Sequence, residues 1–385
     1  MQVTGEWLTR DETQAVCAAL VDAGYQAWFV GGCVRNALIG APVDDIDICT
    51  DARPETVIEL SKAAGLKPVP TGIDHGTITV VSGGIPHEVT TFRRDVETDG
   101  RHAVVAFSDT MDEDAARRDF TMNALYADRT GGLADPLDGL PDLEARHVRF
   151  IGDPQQRIRE DYLRILRFFR FSAWYGDPAL GMDAEGLAAC ATLSDGIETL
   201  AAERIGAEMT KLLRATDPAP AVAAMAQSGV LLQVLPAADH TALAPLVHLE
   251  AQAGQDPDPM LRLASLGGQD VADRLRLSKA DAKRLDALRT WALEGQPPHE
   301  VGYRLGADIG ARAVVLRAAM MGQPVNSTDL DSVAKGAAAQ FPVKAADLMP
   351  EYTGAQLGLR LKTLEKRWIE AQFTPSKQDL LNAPD

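Results

Sequence analysis

The first half of the chain carries short apolar runs that alternate with amphipathic segments. Apolar runs bounded by glycine or proline favour strands, and apolar positions three or four residues apart favour helices. Thr9 and Glu12 have the spacing of a capping box at the start of a first helix. The segments together indicate a small mixed sheet with helices on one side. In chain order we predict a helix over 9–23, a strand over 26–30, a helix from 33, a strand over 45–49, a helix over 54–64 and a hairpin that pairs 76–81 with 86–93.

From Asp153 onward the pattern changes to that of long helices. Residues 94–108, in contrast, are polar and lack periodicity, which indicates a mobile loop. A proline-rich boundary at 216–220 precedes a second helical region that reaches the end of the chain. The pattern therefore predicts an α+β protein with three parts. One apolar stripe runs along the first long helix and consists of Ile158, Tyr162, Ile165, Phe169 and Ala173.

The composition is that of an ordinary soluble protein, with 46% hydrophobic and 24% charged residues among 385. No apolar run approaches the roughly 20 residues of a membrane-spanning helix, and the start lacks a signal-peptide pattern, so we expect a cytoplasmic protein without membrane contacts. The four cysteines have neither C-x-x-C spacing nor a dense framework, which argues against zinc and disulfides. The net charge of −17 argues against indiscriminate coating of nucleic acid, and it leaves room for a local basic surface.

A glycine pair, Gly31-Gly32, lies between the predicted strand over 26–30 and the helix from 33. Glycines at such a turn let backbone N–H groups and a helix N-terminus approach a phosphate. Arg35, one turn into the helix, would add a charge-assisted hydrogen bond to the same phosphate. A Gly-Gly turn is also a common structural connector, and this motif alone leaves both interpretations open.

Asp45 and Asp47 alternate with isoleucines in the next predicted strand, which places both carboxylates on one face. Because adjacent carboxylates repel each other, a cation favours this arrangement, and Mg²⁺ combines one or two protein carboxylates with substrate phosphate oxygens. Glu88 alternates with Val89 on a neighbouring strand and is a candidate third carboxylate. A solvated strand edge is the alternative, and the phosphate loop just upstream favours the metal site.

Arg117-Arg118-Asp119 directly precede an apolar run that includes Asn123. Two arginines beside an aspartate suit contacts to a triphosphate and a ribose. The same residues would be ordinary at a solvated helix start, and the motif does not separate these interpretations.

Asp161 and Arg164 lie one turn apart on the first long helix. Such residues commonly form an ion pair on a helix surface. In a closed site, a carboxylate beside a guanidinium complements cytosine and adenine, which carry an amino group next to an unprotonated ring nitrogen. Uracil and guanine would leave polar groups unpaired, at a cost of about 1–3 kcal/mol each. The pair would then select C and A without a template, and Glu203 and Arg204 are placed to brace the helix.

Six motifs occur in a fixed order over residues 20–215. Their order and spacing resemble the class II CCA-adding tRNA nucleotidyltransferase and bacterial poly(A) polymerase family. The chain departs from this family at Asn36, where many members carry an acidic residue. The motifs are Gly31-Gly32-x-Val34-Arg35, Asp45-x-Asp47, Glu88-Val89-Thr90-Thr91-Phe92-Arg93, Arg117-Arg118-Asp119, Glu160-Asp161-x-x-Arg164 and Glu203-Arg204.

The resemblance implies a polymerase-β-like mixed-sheet nucleotidyltransferase head over 1–145, a helical neck over 146–216 that recognises the base, and a helical body and tail over 217–385 that binds tRNA. It implies an enzyme that adds C, C and A to the tRNA 3′ end from CTP and ATP. Catalysis would use Asp45, Asp47 and Glu88, with Mg²⁺ on Asp45 and Asp47. The implied nucleotide contacts are Gly31, Gly32, Arg35, Arg117, Arg118, Asp119, Asn123, Asp161, Arg164, Arg167 and Arg170, and the implied supporting residues are Arg101, Glu160, Glu203 and Arg204.

Alternatives within the family are a poly(A) polymerase and a partial enzyme that adds only CC or only A. Asp99-Gly100-Arg101 resembles part of the flexible loop used to switch from C to A, which favours the complete activity. From another class, a non-catalytic RNA-binding factor on the same scaffold is an alternative, although the intact carboxylates of the predicted metal site argue against it. Without G-x-G-x-x-G spacing, a dinucleotide-binding enzyme is disfavoured. The sequence leaves the oligomeric state undefined.

Overall fold

The protein is described by a computed structural model that covers residues 2–99 and 102–382. It contains two compact units. Unit 1 comprises Met1–Glu208 and Gln227–Val234, and unit 2 comprises Met209–Ala226 and Leu235–Asp385. Among the described residues, every helix is too short or too polar to span a lipid bilayer.

Unit 1 contains nine strands within the described part of the chain. They are β1 (Trp28–Val30), β2 (Asp47–Thr50), β3 (Lys67–Gly72), β4 (Thr77–Ser82), β5 (Ile85–Thr91), β6 (Arg93–Asp99), β7 (His102–Phe107), β8 (Tyr126–Ala127) and β9 (Leu133–Ala134). Seven form one sheet in the order β3-β4-β5-β2-β1-β8-β9, while β6 and β7 form a separate pair. β2 and β5 are parallel, and the other neighbours are antiparallel. The predicted mixed sheet is confirmed, with β2 at its centre.

Helices connect and cover these strands, and others continue the chain to residue 234. They are α1 (Glu6–Thr9), α2 (Asp11–Val21), α3 (Gly32–Leu38), α4 (Pro54–Ala63), α5 (Met111–Ala116), α6 (Leu140–Glu144), α7 (Pro154–Glu160), α8 (Leu163–Tyr175), α9 (Ala184–Thr192), α10 (Ala202–Leu213), α11 (Ala219–Gln227) and α12 (Val230–Val234). Phe29, Ile48, Ile78 and Phe120 are fully buried in the core of unit 1. Burial of these side chains stabilises the central strands that carry the candidate site.

The first predicted helix, over 9–23, corresponds to α2, and Thr9 belongs to the preceding helix α1. α1 ends at Thr9, and α2 begins at Asp11 without a side-chain cap. The Thr9 hydroxyl donates to the backbone carbonyls of Gly5 and Glu6 instead of accepting from the next helix. The predicted capping box is therefore wrong, because the hydroxyl bonds to the preceding turn.

Within 94–108, predicted as a loop, residues 94–99 and 102–107 belong to the antiparallel strand pair β6 and β7. Arg93 pairs with Phe107 at its base. Because this ribbon lies outside the seven-stranded sheet, it does not need the apolar alternation by which strands are predicted. Arg101 lies outside the described residues.

Three strands of the sheet were not predicted from the sequence pattern. β3 contains Pro68 and Pro70 and lies at the edge of the sheet, where a missing N–H donor is tolerated. β8 and β9 have two residues each, which is too few to show an alternation. These strands widen the predicted sheet without changing its class.

The long helix predicted from Asp153 is interrupted at Asp161. α7 ends at Glu160, α8 begins at Leu163, and Asp161 between them has an extended backbone with φ −155° and ψ 105°. Its carboxylate accepts a hydrogen bond from the N–H of Leu163 at 3.0 Å. Aspartate side chains that bond to a nearby backbone N–H compete with a continuous helix, an effect that apolar periodicity does not register.

Unit 2 is mostly helical, which confirms the predicted character of the second half of the chain. Its later helices are α13 (Leu243–Gln252), α14 (Pro259–Leu266), α15 (Val271–Arg274), α16 (Lys279–Glu294), α17 (Pro298–Leu305), α18 (Ala307–Met320), α19 (Ser327–Ala338), α20 (Gly354–Glu370) and α21 (Lys377–Leu381). An ion pair lies in its core: Nε of Arg262 is 2.8 Å from Oε2 of Glu250, and the two residues are 2% and 1% exposed. Arg262 also donates to the carbonyls of Leu213 and Ala215, so its guanidinium ties α14 to the end of α10.

Candidate active site

A cleft of about 390 Å³ opens in unit 1 along the central strands β1, β2 and β5. Its lining is strongly charged and combines acidic with basic groups. These are the carboxylates of Asp47, Glu88, Asp119 and Asp161 and the guanidiniums of Arg93, Arg117, Arg118, Arg164, Arg167 and Arg204. Five of the six sequence motifs therefore contribute side chains to one surface.

Asp47 and Glu88 are neighbours in this cleft because β2 and β5 run parallel, with these two residues as Cα partners. The pKa of Asp47 is raised to about 6, chiefly by burial and also by the charges of Glu88 and Asp45, while Arg118 opposes the shift. The predicted strand over 45–49 begins at Asp47 instead, and Asp45 is exposed in the segment before it. Asp45 and Asp47 therefore do not share one strand face, although their charges interact.

Within residues 2–99 and 102–382, no group of three His, Cys, Asp or Glu side chains is arranged to hold a metal ion. The role of Glu88 as a third ligand therefore stays a prediction. A site with two carboxylates still suits Mg²⁺, which takes its other ligands from substrate phosphates and water.

The glycine loop lies against the arginine motif. Gly31 has φ 70° and ψ −121°, a conformation that favours glycine, and α3 begins at the next residue. A Cβ atom at Gly31 would lie 3.5 Å from Nη1 of Arg118. Arg35 is only 6% exposed, and it donates to Asn123 behind the cleft wall. The predicted contact of Arg35 with a phosphate stays a prediction.

Asp114, which lies outside the six sequence motifs, anchors the two adjacent arginines. Its fully buried carboxylate accepts hydrogen bonds from Nη2 of Arg117 and Nη2 of Arg118, both at 2.8 Å, and from the Tyr126 hydroxyl at 2.9 Å. Burial alone would raise the pKa of Asp114, but the two arginines hold it well below its usual range. Asp114 lies on helix α5 and precedes Arg117 and Arg118 by three and four residues, and this spacing was the signal available in the sequence.

Asp119 is held in a similar way, by Arg167 and Asn123. Nη2 of Arg167 lies 2.5 Å from Oδ2 of Asp119, and Nδ2 of Asn123 donates to Oδ1 at 2.8 Å. Burial would raise the pKa of Asp119, but these partners lower it below its ordinary value. Asp119 therefore stays ionised and fixed at the wall of the cleft.

Asp161 and Arg164 both line the cleft but do not pair with each other. Oδ2 of Asp161 accepts from Nη2 of Arg204 at 2.7 Å, and Nη1 of Arg164 donates to Oε2 of Glu160 at 2.5 Å. The ion pair considered for Asp161 and Arg164 on one helix is wrong, because the helix breaks between them. Each group keeps a separate partner that holds it at the cleft.

The other predicted site residues lie close to these groups. Glu160 also accepts from Nη2 of Arg157 at 2.5 Å. Nε of Arg170 donates to Oε2 of Glu208 on α10 at 2.5 Å. Glu203 lies in the first turn of α10, next to Arg204. Helix α10 thus contacts α8 through Glu208 and Asp161 through Arg204, and the bracing roles of Glu203 and Arg204 stay predictions.

The chain is similar to proteins of one known family. The family described as "Poly A polymerase head domain" matches residues 27–149, and "Probable RNA and SrmB- binding site of polymerase A" matches residues 180–241. The "CCA tRNA nucleotidyltransferase 1, mitochondrial" of Mus musculus is 32% identical over 91% of this chain and 85% of its own length. The chain belongs to the family of CCA-adding tRNA nucleotidyltransferases and bacterial poly(A) polymerases. The resemblance inferred from the motifs is confirmed.

Other members of this nucleotidyltransferase family extend the comparison. The CCA-adding enzyme of Bacillus stearothermophilus, solved in complex with CTP, has a TM-score of 0.74 and 26% identity over 94% of this chain and 93% of that chain. The Thermotoga maritima CCA-adding enzyme complexed with tRNA has a TM-score of 0.71 at 18% identity, and it shows the shared fold. The "CCA-adding enzyme" of Oceanobacillus iheyensis is 41% identical to this chain. The matched segment covers 54% of this chain and 50% of that relative, so the chain spans about half of the relative's length.

Proposed function

We propose that the protein adds C, C and A to the 3′ end of tRNA, with CTP and ATP as substrates and pyrophosphate as the product. The observation that carries the proposal is the cleft of unit 1, where the Asp47–Glu88 pair shares one surface with Asp161 and Arg164. The reaction needs carboxylates at the transfer site and a donor and acceptor that read C and A, and this surface supplies both. The names of the mouse and B. stearothermophilus relatives support the same activity.

Enzymes of this family generally need a divalent metal, and we propose Mg²⁺ as the ion. Asp47 and Asp45 would hold it. The donors fit, because the pKa of Asp47 is raised by burial and by two neighbouring carboxylates, and a cation would relieve this repulsion. When bound, the ion would neutralise charge on the triphosphate during transfer.

The chain's own residues would position the triphosphate and ribose. In the transfer, the 3′-hydroxyl oxygen of tRNA bonds to the α-phosphorus, the bond from that phosphorus to pyrophosphate breaks, and the hydroxyl loses its proton. Arg117 and Arg118 would hold the triphosphate, because Asp114 fixes both guanidiniums beside the cleft. Asp119, fixed by Arg167, would accept a hydrogen bond from a ribose hydroxyl. Positioning of this kind lowers the barrier without any covalent step on the protein.

Asp161 and Arg164 would select the base. The Asp161 carboxylate would accept from the amino group of C or A, and the Arg164 guanidinium would donate to the adjacent ring nitrogen. Their partners Arg204 and Glu160 hold the two groups in place before a base arrives. The edges of U and G would leave polar groups unpaired at a cost of about 1–3 kcal/mol each, so discrimination needs no template.

The remaining sequence predictions belong to the same proposal. Each part of the chain would have one role. Residues 1–145 would form the catalytic head, 146–216 the neck that recognises the base, and 217–385 the body and tail that bind tRNA. The tRNA 3′ end would be the acceptor, and the reaction would take place in the cytoplasm.

A primer-extension assay tests the proposed function. Purified protein with Mg²⁺ receives tRNA transcripts that end before the CCA, after C and after CC, with CTP and ATP separately and together. Products that stop at CCA are expected. A long A ladder would identify a poly(A) polymerase, and a stop after CC or addition of only the final A would identify a partial enzyme. No extension would favour the non-catalytic RNA-binding factor.

A further inference from the structure

A chain of hydrogen bonds leads from Tyr175, at the end of helix α8, to the wall of the cleft. We propose that Tyr175 is a positioning residue, which acts through Arg35 and Asn123 to hold Asp119 and Arg167 in place. This inference rests on the proposed function, because it assigns to Asp119 and Arg167 a role in binding the nucleotide.

Each link of the chain has a defined donor and acceptor. Nη2 of Arg35 donates to the Tyr175 hydroxyl at 2.8 Å, and Nη1 of Arg35 donates to Oδ1 of Asn123. Nδ2 of Asn123 donates to Oδ1 of Asp119 at 2.8 Å, and Nε of Arg167 donates to Oδ2 of Asp119 at 2.7 Å. The last two residues line the cleft, so the chain connects it to a residue outside its lining.

Arg35 and Asp119 together fix the orientation of Asn123. A guanidinium only donates hydrogen bonds and an ionised carboxylate only accepts them, so the amide oxygen of Asn123 faces Arg35 and the amide nitrogen faces Asp119. If Arg35 moved away, the amide oxygen of Asn123 would lose its donor, and the side chain would be free to shift from its place beside Asp119. The placement of Asn123, and with it one of the bonds that hold Asp119, therefore depends on the position of Arg35.

Neutral groups hold Arg35 in that position. In the described part of the chain its hydrogen-bond acceptors are Asn36, Asn123 and Tyr175, and none of them is a carboxylate. Burial lowers the pKa of Arg35, and interactions with Tyr175 and Asp119 oppose this. Without a carboxylate to clamp it, the guanidinium depends on the geometry of these neutral partners. Tyr175 therefore contributes more here than it would beside an ion pair.

The aromatic rings of α8 complete the support. The Arg35 guanidinium lies 4.0 Å from the centre of the Tyr175 ring and 5.1 Å from that of Phe171, one turn earlier. Arg167, another turn earlier, lies 5.3 Å from the same Phe171 ring. Cation–π contacts of this kind favour a fixed guanidinium. The hydrogen-bond chain thus starts and ends on one stripe of α8. A shift of Tyr175 would reach Arg167 by two routes, through the hydrogen bonds and through the Phe171 ring.

The test compares four variants with the wild-type protein. Tyr175→Phe removes the acceptor and keeps the ring, and Tyr175→Leu removes both. Arg35→Lys removes the bidentate donor, and the double variant Arg35→Lys/Tyr175→Phe shows whether the two residues act together. Tyr25→Phe is the matched control, because it removes the hydroxyl of another half-buried tyrosine of unit 1 outside this hydrogen-bond chain. The measurements are kcat, KM for CTP and for a tRNA transcript without CCA, the Kd of CTP without tRNA, and the thermal midpoint.

Tyr175→Phe should raise the KM and Kd of CTP by about 3- to 10-fold, the effect of one weakened hydrogen bond to a charged group. Tyr175→Leu should raise them more, while the KM of tRNA stays unchanged and Tyr25→Phe resembles the wild type. In the Arg35→Lys background, Tyr175→Phe should have no further effect. Multiplicative effects in the double variant, or a lower thermal midpoint and kcat with an unchanged CTP KM, would overturn the inference.

The outcome for the proposed function is separate. If the wild-type protein extends tRNA and Tyr175→Phe binds CTP normally, only this inference fails. If the wild-type protein does not extend tRNA, the proposed function fails, and the Kd of CTP still decides whether Tyr175 positions the nucleotide site. Absence of CTP binding by the wild type overturns both.

Discussion

Asp47 and Glu88 are Cα partners on the parallel strands β2 and β5, and both side chains line the cleft. The parallel pair is the only one of its kind among the described strands of the sheet, and it brings together residues that are 41 positions apart in the sequence. Burial and the charge of Glu88 both raise the pKa of Asp47. Carboxylates in such an arrangement are poised for a cation, and this defines the first prediction.

Asp47→Asn should abolish the incorporation of both C and A and leave tRNA binding nearly intact. The substitution keeps the size of the side chain and removes the charge that a divalent metal needs, so we expect a loss of at least about 10³-fold in single-turnover extension. Binding of tRNA at fixed salt is measured in parallel. Asp44→Asn, an exposed acid three residues away, is the control. Extension by Asp47→Asn at near the wild-type rate would show that the metal assignment is wrong.

Asp47 should also make stability depend on pH when no metal is present. Its pKa is raised to about 6 from a reference value of 3.8, so the folded protein binds this proton more tightly than the unfolded chain does. Stability should therefore decline as the pH rises from about 4 to 6, by up to about 3 kcal/mol, and remain lower above that range. Asp47→Asn should unfold at a higher temperature than the wild type at pH 7.5 and at the same temperature near pH 4. Equal thermal midpoints at both pH values would contradict the raised pKa.

Asp114 should contribute stability with the opposite dependence on pH. Its pKa lies well below the usual range because of Arg117 and Arg118, so its contribution is present at neutral pH and is lost as the pH falls below about 4. Asp114→Ala should cost about 3–5 kcal/mol at pH 7, since it leaves two partly buried guanidiniums without their acceptor. It should also raise the KM for nucleotides. Urea unfolding and extension kinetics measure the two effects, with Asp112→Ala, an exposed acid of the same helix, as the control. A stability equal to that of the control would disprove the anchoring role.

The sheet could be predicted from the sequence because β4 and β5 alternate clearly and β1 and β2 are short apolar runs. Ile46 and Ile48 are buried around half-buried Asp47, and Glu88 alternates with buried Val89, as the pattern required. Local signals failed where the structure depends on partners distant in sequence. The strand pair β6 and β7 lacks the alternation of a sheet strand because it lies outside the seven-stranded sheet.

The candidate site could be predicted only in part, because its side-chain partners also come from distant parts of the sequence. Motif spacing indicated which charged residues belong together, but it could not show their partners. Asp161 and Arg164 looked like one helical pair, whereas the break at Asp161 gives them different partners. The motif indicated Arg35 as a phosphate ligand, which stays a prediction, but it gave no sign that Arg35 donates to Asn123 and Tyr175. Asp114 lies outside the six motifs, and its spacing from the two arginines is a weak signal until the structure shows that its carboxylate is buried beneath them.

The buried pair Arg262–Glu250 should dominate the stability of unit 2. Arg262→Met leaves the Glu250 carboxylate and the carbonyls of Leu213 and Ala215 without their donor, so we expect a loss of about 3–5 kcal/mol in the free energy of unfolding. The double variant Arg262→Met/Glu250→Leu should recover part of this loss, because it removes the unpaired charge. Urea unfolding measures both, and Arg274→Met, at an exposed arginine, is the control. A double variant less stable than Arg262→Met would contradict this account.

Asp161→Ala should relax the choice of nucleotide more than it slows transfer. Without the carboxylate, the amino group of C or A loses its acceptor, while the carbonyl of U or G no longer meets a like group. We expect the ratio of UTP to CTP incorporation to rise by about 10- to 100-fold, which corresponds to one or two unpaired polar groups. Competition assays with tRNA lacking CCA measure this ratio, and Glu198→Ala, at an exposed acid of the same unit, is the control. Asp161→Asn separates charge from shape: because an amide can also donate, it should accept U better than Asp161→Ala does. Unchanged discrimination in both variants would exclude Asp161 as the base-reading acceptor and leave its ion pair with Arg204 as a structural contact.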